Sequence, residues 1–167
     1  MKKIGIFYGS TMGRTEKVAE MLQREFGKKN ADVYNIKDIT PDDILKYENL
    51  IFGTSAWGIG DMQDDWEDFI DTLAGMDLSG KIIALFGLGD QKTYPDSFAD
   101  GLGTLFCRLP DKTNVVGSWP VNGYKYYCSS AEKDGKFVGL VIDEDSQPQH
   151  TEERVKLWAS QLKKQLK

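Results

Sequence analysis

The sequence predicts an α/β fold in which helices cover both faces of one doubly wound, five-stranded parallel sheet. Short apolar segments with strand character alternate along the chain with amphipathic helical segments, and this alternation is typical of parallel sheets joined by right-handed crossovers. The run Lys-Ile-Ile-Ala-Leu-Phe at residues 81–86 is almost wholly apolar, as expected of a central strand covered on both faces. The 167 residues are predicted to form one domain, residues 1–167.

Strand and helix signals follow one another regularly through the first half of the chain. Strands are predicted at residues 3–8, 32–36 and 49–53, where apolar side chains cluster between turn residues. Thr15 can cap the first helix and Gly27 can end it. The inner faces of two helices are apolar at helical spacing: Val18, Ala19, Leu22 and Phe26, then Trp66, Phe69, Ile70 and Leu73.

The second half of the chain continues the alternation but breaks its fifth strand. A helix is predicted within residues 96–108. Residues 114–119 predict the first half of strand five and residues 137–142 the second half, and residues 120–136 form a polar, tyrosine-rich insert between them. The last helix can be capped by Thr151, and its apolar face comprises Val155, Trp158, Ala159, Leu162 and Leu166.

The segment Gly-Ser-Thr-Met-Gly-Arg-Thr at residues 9–15 lies between the first strand and the first helix. A glycine- and hydroxyl-rich turn at that place directs backbone N–H groups, hydroxyls and a positive helix end at one point, which is how proteins bind phosphate. It lacks the Lys-Ser or Lys-Thr pair of a nucleoside-triphosphate loop and the GxGxxG spacing of a dinucleotide-binding turn. The alternative is a plain turn with a helix cap. We predict a phosphate site formed by Ser10, Thr11, Met12, Gly13, Arg14 and Thr15.

Two more loops reach the same edge of the predicted sheet. Ligands of open α/β sheets bind outside the carboxyl ends of the strands, and the third and fourth strands end in glycine-rich segments that carry Trp57 and Tyr94. Aromatic side chains can stack on a flat heterocycle while glycine-rich backbone reaches its polar rim; the alternative is that either aromatic residue only packs. The predicted ring site contains Thr54, Ser55, Ala56, Trp57, Gly58, Ile59 and Gly60, then Leu88, Gly89, Asp90 and Tyr94.

These motifs together resemble the long-chain flavodoxins, whose phosphate loop usually reads Ser/Thr-x-Thr-Gly-x-Thr. Trp57 and Tyr94 match the two residues that flank the isoalloxazine ring in that family. The likeness continues through residues 89–91, the insert and residues 139–145, so it covers essentially the whole chain. The flavodoxins are themselves an example of the rule about strand ends. The resemblance implies a flavodoxin-like fold with strand order 2-1-3-4-5, and FMN as the cofactor.

The resemblance also implies a function, that of a low-potential carrier of single electrons. Such a carrier shuttles between reductases of the flavodoxin or ferredoxin type and low-potential acceptor enzymes. The resemblance adds Asp100 to the site, and Asp145 as a neighbour of the ribose. Met12 departs from the family pattern and removes one hydroxyl donor to the phosphate. In flavodoxins the peptide that corresponds to Gly58 can turn over when the ring gains an electron, and glycine reaches positive φ with little steric penalty.

Acidic residues crowd the sequence around the proposed ring site. Carboxylates oppose the added negative charge of a reduced ring, so the cluster predicts a strong low-potential donor that docks transiently on basic partner surfaces. The alternative is that these acids favour a helix N-terminus and solubility. The cluster comprises Asp61, Asp64, Asp65, Glu67, Asp68, Asp71 and Asp90.

Composition excludes several other classes of protein. The net charge of −5 offers no basic stripe for nucleic acid, the apolar runs are too short to span a membrane, and no apolar signal segment precedes the first strand. Cys107 and Cys128 form no disulfide framework and no metal spacing, so a reducing cytoplasm is expected. The chain has a single histidine, His150, so a catalytic triad that uses histidine is not expected. A monomer is expected, because a partner must reach the flavin edge.

Two other functions were weighed against the same sequence features. A nicotinamide-dependent quinone or azo reductase of similar fold would need a substrate pocket beside the ring, and no nicotinamide motif is present. A phospho-receiver domain would need paired acids after the first strand and an aspartate after the third, where this chain has Gly9-Ser10 and Thr54. The sequence also leaves open whether the insert, with Cys128, serves docking or stability.

Overall fold

A computed structural model describes residues 1–57 and 61–167 of the chain. A two-residue strand, β4 (Asp61–Met62), folds back antiparallel on the end of the third strand. Across the sheet the order is β2-β1-β3-β5-β10, which confirms the predicted 2-1-3-4-5 order for the main strands. Within the described residues, five main strands run parallel in one sheet: β1 (Ile4–Tyr8), β2 (Ala31–Asn35), β3 (Asn49–Trp57), β5 (Ile82–Leu88) and β10 (Leu140–Ile142).

Helices cover both faces of the sheet, as predicted. Ile6 faces the core beneath α1 and α5, while its neighbour Phe7 faces the core beneath α3 and α4, because successive side chains of a strand point to opposite faces. No helix in residues 1–57 or 61–167 is both long enough and apolar enough to cross a membrane. The helices are α1 (Arg14–Phe26), α2 (Pro41–Leu45), α3 (Asp64–Ala74), α4 (Asp100–Arg108) and α5 (Thr151–Leu162), with 3₁₀ turns at Ile36–Asp38 and Pro148–His150.

The strand order reverses at β1. Ile4 is level with Ala31 of β2 on one side and with Asn49 of β3 on the other. The helices that follow β1 and β3 lie on opposite faces of the sheet, so the loops that lead into them diverge at the carboxyl edge. Such a point is where open α/β sheets have their ligand crevice.

The fifth strand is split, as predicted, although its two halves are shorter. β6 (Val115–Val116) pairs with the first part of β5, and β10 pairs with the last part of the same strand. Residues 119 and 137 were expected in strand five, but they pair with each other in a small antiparallel sheet. Gly117 turns the chain away with a φ of 82°, a value that favours glycine. The small sheet contains β7 (Trp119–Pro120), β8 (Glu132–Lys133) and β9 (Lys136–Phe137).

Two predicted helix caps were wrong. α1 begins at Arg14 with Gly13 as its cap, and Thr15 is buried in the first turn. α5 begins at Thr151 itself, since the preceding 3₁₀ turn leads directly into the helix and the Thr151 N–H donates to the carbonyl of Pro148. A hydroxyl cap is unnecessary where a turn already satisfies the first donors. The predicted end of α1 at Gly27 is confirmed.

Candidate functional site

A cleft of about 210 Å³ opens at the carboxyl edge of the sheet, where the strand order reverses. Its described wall comes from four parts of the chain: the loop after β1 with the start of α1, the end of β3, the end of β5 with the loop after it, and the loop after β10. The lining residues are Ser10, Thr11, Met12, Arg14, Thr15, Ser55, Ala56, Leu88, Gly89, Asp90, Tyr94, Ser97, Ala99, Glu144 and Asp145. One continuous cleft therefore includes both the predicted phosphate loop and part of the predicted ring site.

The loop at residues 10–13 forms one end of the cleft, here called the anion end. Gly13 has a φ of 80°, and its N–H donates to the Ser10 hydroxyl at 2.9 Å. The side-chain amide of Gln63 donates to the Thr11 hydroxyl at 3.2 Å. A Cβ at Gly9 would lie 2.1 Å from the Gln63 side-chain oxygen, so only glycine lets the loop lie on that buried side chain. The loop is thus shaped by its own residues and by the start of α3.

The charges that line the cleft are unequal. Among the described lining residues, Arg14 is the one cation, and it faces three carboxylates, Asp90, Glu144 and Asp145. The Arg14 guanidinium forms an ion pair with Asp145, and this hydrogen bond and charge raise the pKa of Arg14 above its ordinary value. Met12 is 78% exposed and offers no hydroxyl. The described wall therefore has a formal charge of −2.

Another part of the cleft, here called the ring end, combines one aromatic residue with small ones. Tyr94 lines the cleft and is 39% exposed. Ala56, Gly89 and Ala99 line it beside Tyr94 and leave room for a ligand. A Cβ at Gly89 would lie 2.9 Å from the backbone nitrogen of Ala99. Ala99 is buried with a φ of 54°, a left-handed conformation that costs an L residue free energy.

Part of the predicted ring site lies outside the described residues. Gly58, Ile59 and Gly60 belong to that part, and for Trp57 the structure describes only the backbone in β3. The stacking predicted for Trp57 and the peptide turn predicted at Gly58 stay predictions. The backbone of residues 54–57 continues β3 and pairs in part with β5, although it was expected to form a loop.

A buried carboxylate anchors the loop that carries the ring end. Asp143 is fully buried and accepts hydrogen bonds from the Gln91 backbone N–H (3.0 Å), the Gln91 side-chain amide (2.7 Å) and the Ser146 N–H (2.8 Å). Asp90 accepts from the backbone N–H groups of Lys92 and Thr93, each at 3.1 Å, and from the Ser146 hydroxyl at 3.1 Å. Burial raises the pKa of Asp90, but these hydrogen bonds outweigh it and lower the pKa. Asp90 therefore stays ionised at neutral pH.

The insert at residues 120–136 holds the same loop from outside. The Lys125 N–H donates to the Gln91 side-chain oxygen at 2.6 Å. The carbonyl of Pro95 accepts from the N–H groups of Tyr127 (2.7 Å) and Cys128 (3.0 Å), and the Phe98 N–H donates to the Cys128 carbonyl at 3.1 Å. Phe98 also packs against Tyr124, Tyr126 and Phe137. The insert is thus a clamp on the loop between β5 and α4.

Three residues predicted for the site do not line the described cleft. Thr54 is fully buried in β3, where its hydroxyl donates to the Ser55 carbonyl at 3.2 Å. Gly13 contributes only backbone conformation. Asp100 accepts a hydrogen bond from the Ser130 N–H at 2.7 Å, because α4 presents its carboxylate to the insert.

Three lining residues were not included in the predicted site. Ser97, Ala99 and Glu144 all contribute to the wall of the cleft. Glu144 directly precedes Asp145 and lies at the same strand end, so the strand-end rule could have included it. The left-handed conformation of Ala99 had no signal in the sequence, because glycine is the residue normally expected there.

Comparisons with known proteins agree on one family. The family model described as Flavodoxin matches residues 6–158. The flavodoxin of Synechocystis sp. is 47% identical over 167 residues, which is 98% of this chain and 97% of that relative. Flavodoxin 1 of Escherichia coli K12 is 44% identical over 164 residues, covering 97% of this chain and 93% of the relative. The crystal structure of Fusobacterium nucleatum flavodoxin bound to flavin mononucleotide matches with a TM-score of 0.94 and 32% identity over the whole of both chains.

Proposed function

The chain belongs to the flavodoxin family, and on that premise we propose that it carries single electrons on an FMN bound in the cleft. The main support for this proposal is that a single cleft contains both a glycine- and hydroxyl-rich helix start and an aromatic residue, at the edge of the sheet where the strand order reverses. FMN has a phosphate at one end and a flat isoalloxazine ring at the other. When bound, it supplies a centre that takes up and releases electrons singly. The protein is an electron-transfer protein and not an enzyme.

The chemistry of the lining residues fits FMN at both ends. Ser10, Thr11 and Thr15 offer hydroxyls at the start of α1, and a helix start of this kind favours an anion. Tyr94 offers one face for the ring, and Trp57 is proposed to offer the other. Ala56 and Gly89 have no bulky side chain to compete with the ring for space.

The carboxylates near the cleft support a low reduction potential. Asp90, Glu144 and Asp145 line the cleft, and α3 adds exposed acids in its first turns. At about 10 Å and an intermediate effective dielectric, each carboxylate opposes one added negative charge by roughly 0.5–1 kcal/mol. Their combined field therefore favours the loss of electrons to a partner.

Flavin binding provides the direct test. The purified protein is expected to show visible flavin absorption, and the FMN-free protein is expected to quench FMN fluorescence on titration. Tyr94→Ala should weaken FMN binding by about 1–3 kcal/mol, because a stacking contact is lost, and Trp57→Ala should do the same. Tyr127→Ala is the matched control, since Tyr127 is 80% exposed and lies outside the cleft.

Two results of that titration would contradict the proposal in different ways. Failure of the parent protein to bind FMN would remove the function itself. Parent-like affinity in both the Tyr94→Ala and the Trp57→Ala proteins would show that the ring binds elsewhere.

We propose reductases of the flavodoxin or ferredoxin type and low-potential acceptor enzymes as partners. Asp64, Glu67 and Asp68 are exposed on α3, and Asp71 is exposed beside Arg108. Charged surfaces of this kind steer association with basic partners. Electron transfer from such a reductase should slow by roughly tenfold or more between low and physiological ionic strength. A rate that does not change with salt would exclude steering by α3.

Three further parts of the proposal concern the state of the protein. We propose that residues 1–167 form one domain, that this domain is a monomer with its flavin edge accessible, and that it works in the cytoplasm. Cys107 and Cys128 are exposed and unpaired, which suits a reducing compartment. Rapid oxidation of NAD(P)H by the FMN-loaded protein without a reductase would instead support a quinone or azo reductase.

A further inference from the structure

The charges that line the cleft oppose the ligand proposed above, and the following inference rests on that proposed function. A phosphate monoester carries about −1.5 to −2 charges at neutral pH. The described wall offers it one cation, Arg14, against the carboxylates of Asp90, Glu144 and Asp145. Met12 adds no donor at a position where flavodoxins usually have a hydroxyl. Arg14 is therefore the one side-chain cation of the described wall that can meet the phosphate, beside the hydroxyls and the helix start of the anion end.

Arg14 already has an anionic partner. It is the first residue of α1, and Asp145 lies in the loop after β10, so their ion pair joins two walls of the cleft. Both side chains are about half exposed, Arg14 at 53% and Asp145 at 43%. Ion pairs with this degree of exposure contribute little free energy and exchange easily. The guanidinium group also prefers the fork geometry of a phosphate dianion.

We propose that Asp145 holds Arg14 in the FMN-free protein and that the FMN phosphate replaces Asp145 at the guanidinium. In this exchange Arg14 distinguishes FMN from riboflavin, which has no phosphate, whereas Asp145 opposes FMN binding. The resemblance to flavodoxins implies the opposite sign for Asp145, because a neighbour of the ribityl chain, which FMN and riboflavin share, would favour binding of both flavins. The two roles therefore differ in a measurable direction.

The test titrates FMN-free protein with FMN and with riboflavin at low ionic strength and follows flavin fluorescence. Asp145→Asn should tighten FMN binding roughly three- to tenfold and leave riboflavin binding unchanged, because it frees Arg14 and removes one repulsive charge. Arg14→Gln should reduce the preference for FMN over riboflavin by a similar factor. In a protein that already carries Arg14→Gln, Asp145→Asn should increase the FMN affinity clearly less than it does in the parent protein. Glu20→Gln is the control, since it removes one exposed charge from α1 outside the cleft.

Two outcomes would overturn the exchange. Equal weakening of FMN and riboflavin binding by Asp145→Asn would identify Asp145 as a contact of the ribityl chain. No change in FMN affinity, or a gain that is the same with and without Arg14, would show that the ion pair does not compete with the phosphate. A parent protein that binds neither flavin would overturn the proposed function as well, and that result is separable because the parent is measured first.

Discussion

The two ends of the cleft are held in place by different parts of the molecule. At the anion end, residues 10–13 are ordered by a hydrogen bond within the loop and by one from Gln63, and residues 11–14 are exposed. At the ring end, residues 89–99 are tied to the buried Asp143 and to the insert. A short turn that starts a helix can be shaped by its own residues. The longer loop between β5 and α4 obtains its conformation from distant parts of the chain.

Removal of the buried carboxylate should give the largest effect. Asp143→Ala is expected to lower the free energy of unfolding by about 3–5 kcal/mol, because it leaves two Gln91 donors and the Ser146 N–H without an acceptor. Urea unfolding of the FMN-free protein measures this loss. Asp100→Ala is the control, since it removes one hydrogen bond to the insert and should cost about 1 kcal/mol. Equal losses in the two variants would contradict the anchoring role of Asp143.

A matched pair of glycines compares the two loops directly. Gly89→Ala places a Cβ 2.9 Å from the Ala99 nitrogen and 3.0 Å from the Phe98 ring, so the loop must shift at a cost of about 1–3 kcal/mol. Gly13→Ala meets no heavy atom within 4 Å, so only its left-handed φ remains, at about 1 kcal/mol. Thermal unfolding ranks the two. If Gly13→Ala lowered the unfolding temperature more than Gly89→Ala does, the proposed difference between the two loops would be wrong.

The smallest expected effect is the loss of stability at low pH that results from protonation of Asp90. Burial raises the pKa of Asp90, but hydrogen bonds from Thr93, Ser146 and Lys92 lower it further, so the pKa is depressed in the folded protein. A depressed pKa stabilises the fold above the ordinary carboxyl value of about 4. That contribution is lost as the pH falls through the lower, folded pKa. Asp90→Asn should therefore lose less stability than the parent below about pH 4, measured as urea midpoints across that range.

Ser146→Ala provides a third protein for the same comparison of urea midpoints at low pH. It removes one of the three hydrogen bonds that stabilise the charged form of Asp90 and leaves the carboxyl group in place. Its acid dependence should lie between those of the parent and Asp90→Asn. Identical pH profiles for all three proteins would show that Asp90 does not contribute to the stability of the ring end.

Local patterns were sufficient to predict much of the fold and several of the residues that line the cleft. The apolar spacing of α1 predicted its buried face and Gly27 its end, because both follow from neighbours within a few residues. The hydroxyls and glycines of residues 9–15 predicted a loop that lines the cleft, for the same reason. The separation of Trp119 and Phe137 from strand five was not predictable, since it depends on the turn at Gly117 against α5 and on a pairing across the insert.

The sequence by itself determined the alternation of strands and helices, the glycine- and hydroxyl-rich composition of the loop after β1 and the likeness to the flavodoxins. These depend on periodicity, turn residues and motifs that are each contained in a short segment. Only the tertiary structure decided that Asp100 faces the insert, that Asp143 anchors Gln91, and that Arg14 pairs with Asp145. Arg14 and Asp145 are 131 residues apart along the chain. Contacts over such separations exist only after the sheet has brought the ends of β1 and β10 to one edge, because neither partner leaves a local signal of the other.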